Sequence, residues 1–150
     1  MVSRALTFNG GAVALANESA VSAYPEECCG FLYGRDKGDI VRVEAARAVE
    51  NQQREKRTHH YLITPEQYLE GEEFAERSGS TLVGIYHSHP DHPAIPSQHD
   101  LEGALPGFVY LILSIRQGAT AEQKWWELSP DRSIFSEMIP STAEPDQNSL

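Results

Sequence analysis

The feature that most constrains this chain is a pair of histidines at the end of an apolar run. Residues 82–86 have the sequence Leu-Val-Gly-Ile-Tyr, which predicts a buried strand that continues into His87-Ser88-His89. Because successive side chains of a strand alternate between its two faces, His87 and His89 are predicted to project from the same face, about 6–7 Å apart at the backbone. Two imidazoles on one face suit a single metal ion.

A third metal ligand is predicted from the segment that follows this strand. Pro90 ends the strand, a proline-rich loop turns the chain, and Ser97 is predicted to cap a short helix that reaches about residue 104. Asp100 then lies in the first helical turn, where the loop can fold it back toward the histidines. Two histidines, one carboxylate and an open fourth position are typical of a catalytic zinc site, so Zn²⁺ is the predicted cofactor.

An acid–base group is available upstream, in the stretch that opens a second apolar strand. This stretch contains Glu26 and Glu27, followed by Cys28, Cys29 and Gly30. Adjacent residues of an extended chain face opposite ways, so one of the two glutamates can face the metal as a general base. The two cysteines are neighbours, which disfavours a disulfide between them, and their spacing fits no zinc finger. We therefore interpret them as packing residues.

The two stretches together resemble the JAMM signature of the MPN-domain (JAB-type) metallopeptidases. The resemblance rests on Glu-x-Cys-Gly at residues 27–30, on His87-x-His89 and on Ser97-x-x-Asp100. It extends from about residue 6 to residue 139. It implies that His87, His89 and Asp100 bind zinc. It selects Glu27, three residues before the glycine, as the general base, and it implies that the Ser97 hydroxyl stabilises the oxyanion in addition to capping its helix.

The same resemblance implies a fold. The MPN fold is of the α/β (α+β) class, a mixed sheet with helices packed on it in a three-layer arrangement. We expect one domain over residues 1–139 and a disordered tail over residues 140–150, which are polar and contain proline. Several predicted strands follow one another without an intervening helix, so the sheet cannot be purely parallel.

The predicted elements follow from periodicity and from turn residues. They are strands at 4–8, 28–35, 40–43, 82–89, 108–115 and 122–128, and helices at 12–23, 65–78 and 97–104. Residues 133–139 are either a last strand or a mixed segment. Residues 51–60 are predicted to form an exposed loop. His59 and His60 within it, and His92 and His99 beyond the second histidine of the motif, are interpreted as loop residues rather than as metal ligands.

The resemblance also implies an activity. A compact chain without an accessory domain resembles the prokaryotic branch of the family. For this branch we expect a zinc metallopeptidase, or isopeptidase, that hydrolyses an amide bond after the C-terminal Gly-Gly of a small ubiquitin-like or sulfur-carrier protein. The alternative is a non-catalytic MPN scaffold, although such domains usually lack the ligands that this chain retains. A nucleobase deaminase is disfavoured because its His-x-Glu and Pro-Cys-x-x-Cys motifs are absent.

The charge and the apolar content of the chain limit the kinds of molecule that it is expected to bind. The chain carries 12 Lys and Arg residues against 22 Asp and Glu residues, a formal net charge of −10. This balance argues against nucleic acid as a partner, because phosphate binding needs basic patches. No run of apolar residues is long enough to span a membrane, and no signal peptide is recognisable, so the expected location is the cytoplasm. The sequence leaves open whether the chain forms a homodimer.

Overall fold

The computed structural model describes residues 4–141, which form seven strands and three helices. In chain order these are β1 (Ala5–Phe8), α1 (Gly10–Ala23), β2 (Cys29–Asp36), β3 (Ile40–Val49), α2 (Pro65–Arg77), β4 (Thr81–Pro90), α3 (Gln98–Gly103), β5 (Val109–Arg116), β6 (Ala119–Leu128) and β7 (Phe135–Met138). None of the helices within this range is long and apolar enough to cross a membrane.

All seven strands belong to one mixed sheet with the order β1-β3-β2-β4-β5-β6-β7. The β1–β3 and β4–β5 pairs are parallel and the other pairs are antiparallel. β4 occupies the centre, and all of its residues except the first are buried. The strand that carries both histidines is therefore the most enclosed element of the fold, and the prediction of a mixed sheet is confirmed.

Helices cover both faces of the sheet, which gives the predicted three layers. On one face α1 contributes Ala12, Val13, Ala16 and Ala20 to a buried cluster that includes Leu32 of β2 and Leu111 of β5. On the other face α2 packs Ala75 and Phe74 against a second cluster built around Phe31 and Ile85. Cys28 lies in the first cluster and Cys29 in the second, and both are buried free thiols. Their interpretation as packing residues is confirmed.

Two differences from the predicted elements, in α1 and in β3, have a clear physical cause. α1 begins at Gly10 rather than at residue 12, because the Asn9 side chain accepts a hydrogen bond from the Gly11 N–H at 2.7 Å and caps the helix. β3 continues to Val49, well beyond the predicted residue 43, because its second half pairs with β2 from Tyr33 back to Cys29. Antiparallel pairing thus extends the strand into a stretch where the hydrophobic alternation fades.

The end of the described chain lies against β1. The Ser141 N–H donates to the Leu6 carbonyl at 2.9 Å. The predicted disordered tail otherwise falls on residues 142–150, which lie outside the described residues.

Gly30 of β2 lies opposite Tyr86 of β4 in the antiparallel pair. A Cβ atom at Gly30 would lie 2.1 Å from Cε2 of Tyr86, whose side chain is fully buried. We expect Gly30→Ala to lower the free energy of unfolding by about 1–3 kcal/mol, because the enclosed ring has no space to move into. Urea denaturation measures this change. Gly103→Ala is the matched control, since its Cβ meets nothing within 4 Å, and equal stability of the two variants would contradict the prediction.

Candidate metal centre and active-site cleft

The last residues of β4 and the short helix α3 form the centre of the site. His87 and His89 lie near the carboxyl end of β4, beside the parallel strand β5. Their rings project to the same side, with centroids 5.0 Å apart, as the alternation of side chains in a strand requires. His87 is 1 % exposed and His89 is 6 % exposed, so both imidazoles are removed from bulk water.

Asp100 reaches the histidines because a capping box fixes the start of α3. The Ser97 side chain accepts from the Asp100 N–H at 3.0 Å, and the Asp100 carboxylate accepts from the Ser97 N–H at 2.9 Å. These reciprocal bonds satisfy two amides that a helix start leaves free. They also fix the carboxylate so that its Oδ2 atom points into the site. The N-cap interpretation of Ser97 is thus observed directly.

The three predicted ligand atoms form a compact triangle. Nε2 of His87 lies 3.2 Å from Nε2 of His89, and Oδ2 of Asp100 lies 3.0 Å from the His89 nitrogen and 3.3 Å from the His87 nitrogen. Atoms bound at about 2.0–2.1 Å at the corners of a tetrahedron are separated by about 3.3–3.4 Å. Within residues 4–141 this is the one group of three or more His, Cys, Asp and Glu side chains whose ligand atoms converge in this way.

Hydrogen bonding shows that this triangle calls for a positive charge at its centre. Nδ1 of His89 lies 2.8 Å from the Pro93 carbonyl oxygen. Since a carbonyl only accepts, Nδ1 carries the proton, and in the neutral ring the lone pair is on Nε2, where it faces the Asp100 oxygen. Two electron-rich atoms at 3.0 Å repel unless a cation or a proton lies between them. The donor set therefore fits a divalent metal, and Pro93 fixes the ring as partners of ligating histidines usually do.

The titration behaviour of the metal-free cluster agrees with that requirement. Burial would raise the pKa of Asp100, but the two histidines outweigh burial and hold it well below its usual range. Burial lowers the pKa of His89, yet the hydrogen bond to Asp100 leaves it above the ordinary value. For His87 burial dominates, and its pKa is lowered. The cluster thus keeps Asp100 ionised and can place one proton where a metal would otherwise lie.

Glu27 lies in the same cleft as His89 and Ser97, whereas Glu26 is exposed. The Glu27 side chain is 5 % exposed, and its Oε1 atom is buried without a hydrogen-bond partner. Burial raises the pKa of this carboxyl to about 8. The structure thus distinguishes the two neighbouring glutamates by their surroundings, since Glu27 is buried in the cleft and Glu26 is exposed.

The pKa of Glu27 predicts a pH-dependent stability in the metal-free protein. The carboxyl releases its proton near pH 4.5 when unfolded and near pH 8 when folded. The contribution of Glu27 to the free energy of unfolding should therefore be largest below pH 4.5. It should fall by up to about 1.4 kcal/mol per pH unit between these two values and stay constant above pH 8. Chemical denaturation of the wild type and of Glu27→Gln in chelator measures the difference. The variant should lack this dependence and Glu26→Gln should keep it, whereas parallel wild-type and Glu27→Gln curves would contradict the assignment.

A cleft of about 450 Å³ opens over this site. The loop after β4 walls one side and is fastened to the sheet, since the Ala94 N–H donates to Glu122 at 2.9 Å and the Trp126 Nε1–H donates to the Ala94 carbonyl at 3.1 Å. Pro93, Ile95 and Gln98 line this wall. Hydrogen bonds to both backbone groups of Ala94 fasten the loop to β6, so this wall of the cleft is a preformed feature of the fold.

Four further histidines surround the cleft. His92 and His99 line the cleft, while His59 and His60 reach it from the loop after β3. His92 lies in a loop, as predicted, but the same prediction is wrong for His99, which belongs to α3. The rings of His60 and His99 are 4.0 Å apart, and those of His59 and His92 are 5.5 Å apart. All six histidines of the chain therefore lie at or around one site.

Sequence reasoning missed two features of the site. The sequence predicts an exposed loop for His59 and His60 but does not indicate that their rings line the cleft. It also indicates no role for Tyr61, whose ring stacks on His87 with the centroids 4.5 Å apart. All three belong to a segment without periodicity, whose position depends on contacts with β2 and β4 that are distant in sequence. No local signal in the sequence indicates these contacts.

Comparison with known proteins places this site in a family. Residues 13–128 match the family described as prokaryotic homologs of the JAB domain. Among curated proteins, a desampylase of Haloferax volcanii is 40 % identical over 72 % of this chain and 76 % of its own length. A desampylase of Pyrococcus furiosus is 36 % identical over 76 % of this chain and 75 % of its own length. A probable TtuB-protein conjugate cleaving protease of Thermus thermophilus is 42 % identical over 35 % of each chain.

Solved structures agree with the sequence match. A protein from Salinibacter ruber has a TM-score of 0.70 and 38 % identity, covering 93 % of this chain and 94 % of its own. A JAB1/MPN domain protein from Archaeoglobus fulgidus has a TM-score of 0.54 at 18 % identity, covering 88 % and 95 %, and shows the fold alone. The motif, the three-layer fold and these matches have one explanation: the chain belongs to the prokaryotic branch of the JAB (JAMM/MPN) domain family.

Proposed function

We propose that the protein is a zinc-dependent hydrolase that cleaves the amide bond after the C-terminal Gly-Gly of a ubiquitin-like or sulfur-carrier protein. The observation that carries this proposal is the buried triangle of His87, His89 and Asp100, with Glu27 lining the same cleft. The printed names of the relatives support the substrate class, since one is a probable TtuB-protein conjugate cleaving protease and two are desampylases.

His87, His89 and Asp100 would hold the metal. When bound, zinc supplies a Lewis acid and lowers the pKa of a water molecule toward about 7. A cation held by these ligands would favour the ionised form of Glu27 in the same cleft. Its Oε1 atom has no competing partner, so the carboxylate would accept a proton from the attacking water and pass it on to the leaving amine. The buried position of Glu27 keeps that proton from exchanging freely with solvent.

Ser97 would stabilise the oxyanion that develops on the scissile carbonyl. Its Oγ atom already accepts from the Asp100 N–H at 3.0 Å, so a lone pair is occupied while the hydroxyl proton can point elsewhere. Ser97 is exposed and lines the cleft beside His89. The capping role and the donor role therefore use different parts of one hydroxyl group.

The shape of the cleft suits an extended tail without side chains. A Gly-Gly segment lets its backbone approach the site closely, because glycine carries no Cβ. The tail would run along the part of the cleft that Pro93 and Ile95 line.

The test is cleavage of linear fusions in which a ubiquitin-like domain ending in Gly-Gly precedes a reporter. The zinc-loaded protein should release the reporter with a cut directly after the second glycine, located by mass spectrometry, and a chelator should stop the reaction. A fusion with both tail glycines changed to alanine should be cleaved poorly. Failure to cleave any Gly-Gly substrate, with Glu27→Gln behaving identically, would overturn the proposal.

A further inference from the structure

Glu27 lies outside the sheet, and its backbone is held by another segment. β2 begins at Cys29, so Glu27 precedes the strand. The loop after β3, residues 51–62, provides the partners on both sides of this residue. The Glu27 N–H donates to the Arg57 carbonyl at 2.7 Å, and the Glu27 carbonyl accepts from Nδ2 of Asn51 at 3.1 Å.

Asn51 is the centre of this arrangement. Its Nδ2 atom donates to the carbonyls of Glu27 and His60, at 3.1 and 3.2 Å. Its Oδ1 atom accepts from the N–H groups of Gln53 and Leu62, at 2.9 and 3.0 Å. Both donor hydrogens and both acceptor positions of the amide are thus used. One side chain closes the loop upon itself and ties the closed loop to Glu27.

The next residue is held by the metal-binding strand. The Cys28 N–H donates to Oγ of Ser88 at 2.8 Å, and the Ser88 N–H donates to the Cys28 carbonyl at 3.2 Å. The backbone from Glu27 to Cys28 is therefore fixed at four points, two in the loop and two in β4. Because Oε1 of Glu27 has no partner of its own, these backbone bonds fix the position from which the side chain extends into the cleft.

We propose that Asn51 is a positioning residue, which orients Glu27 for proton transfer without contacting the reacting atoms. This inference rests on the proposed function, in which Glu27 is the general base. A carboxylate fixed through its backbone loses alignment when one of the backbone anchors is removed. Displacements of about 1 Å at a reacting group can cost about 100-fold in rate.

The first test separates this role from a general loss of structure. We expect Asn51→Ala to lower kcat about 10- to 100-fold, with KM and bound metal unchanged, because the ligands lie on β4 and α3. Gln67→Ala is the matched control: its amide also bonds backbone in the same β3–α2 connection, to Glu50 and Thr64, but not to Glu27. Equal kcat values in the two variants, or loss of metal in proportion to activity, would overturn the inference.

A second variant separates the bonds that Asn51 donates from the bonds that it accepts. Asn51→Asp keeps an oxygen that accepts from the N–H groups of Gln53 and Leu62, but loses the donor that binds the carbonyls of Glu27 and His60. If Asn51 acts on Glu27, this variant should be as slow as Asn51→Ala although the two bonds that Asn51 accepts within the loop remain. Restored kcat in Asn51→Asp would show that loop closure alone matters, and would overturn the inference.

Hydrogen exchange distinguishes failure of the inference from failure of the proposed function. Amide exchange over residues 25–29, measured by mass spectrometry on the metal-loaded protein, should be faster in Asn51→Ala and unchanged in Gln67→Ala. This result needs no substrate. Unaltered exchange in Asn51→Ala would refute the anchoring, whereas faster exchange in a protein that cleaves no Gly-Gly substrate would leave the anchoring intact and remove only the assigned chemistry.

Discussion

Glu27→Gln is expected to lower kcat for a Gly-Gly substrate by about 10²–10⁴-fold while leaving the metal in place. The amide is nearly the same size as the carboxyl group, but it cannot accept a proton from the attacking water. Glu27 lies outside the ligand triangle, so its replacement removes no bond to the metal. Steady-state kinetics and elemental analysis of the same preparation measure both quantities.

The neighbouring glutamate provides the control for this variant. Glu26→Gln makes the same chemical change one residue away, on an exposed side chain, and should retain the kcat of the wild type. If Glu27→Gln kept near wild-type activity, the general base would lie elsewhere. If it lost its metal together with its activity, Glu27 would have to be regarded as a ligand or as a support of the ligands.

Asp100→Asn is expected to reduce metal affinity by more than about 100-fold, since even loss of an outer partner of a ligand costs about 10–100-fold. The substitution preserves the size of the side chain. It leaves an oxygen that can accept from the Ser97 N–H, which in the wild type lies 2.9 Å from the carboxylate oxygen. It removes the negative charge that balances a cation between His87 and His89. Calorimetric titration of the metal-free variant with zinc measures the affinity, and cleavage should be lost at stoichiometric zinc.

The matching control lies on the same helix. Glu102→Gln removes an exposed carboxylate of α3, which accepts from the Gln98 side chain at the long distance of 3.5 Å. This variant should bind zinc as tightly as the wild type. Equal zinc affinities for Asp100→Asn and the wild type would show that Asp100 is not a ligand and would reduce the site to a histidine pair.

The sequence was informative where local rules determine the geometry. Alternation along β4 places His87 and His89 on one face, and the capping box that Ser97 forms with Asp100 brings the carboxylate to them. Both follow from residue spacing within 14 positions, from 87 to 100. The resemblance to a known motif then selected Glu27 over Glu26, which local physics alone left undecided and which burial in the structure explains.

The sequence was least informative where contacts between distant segments determine the geometry. The loop over residues 51–62 has no periodicity, yet it supplies Asn51 and Arg57 to the backbone of Glu27 and brings two histidines to the cleft. The pairing of β2 with β3 likewise extends β3 beyond its hydrophobic pattern. Tertiary contacts outweigh local propensity at these places, so a prediction from short sequence segments would not identify the loop contacts or the full length of β3.

Zinc reconstitution with a cleavage assay tests the central claim most directly. Metal-free protein is titrated with zinc, and bound metal and cleavage of a Gly-Gly fusion are measured at each point. Activity should rise in proportion to bound zinc and level off at one zinc per chain, and Asp100→Asn should neither bind zinc at these concentrations nor cleave. Cleavage by the metal-free protein, or one zinc per chain bound equally well by Asp100→Asn, would contradict a metal site built from His87, His89 and Asp100.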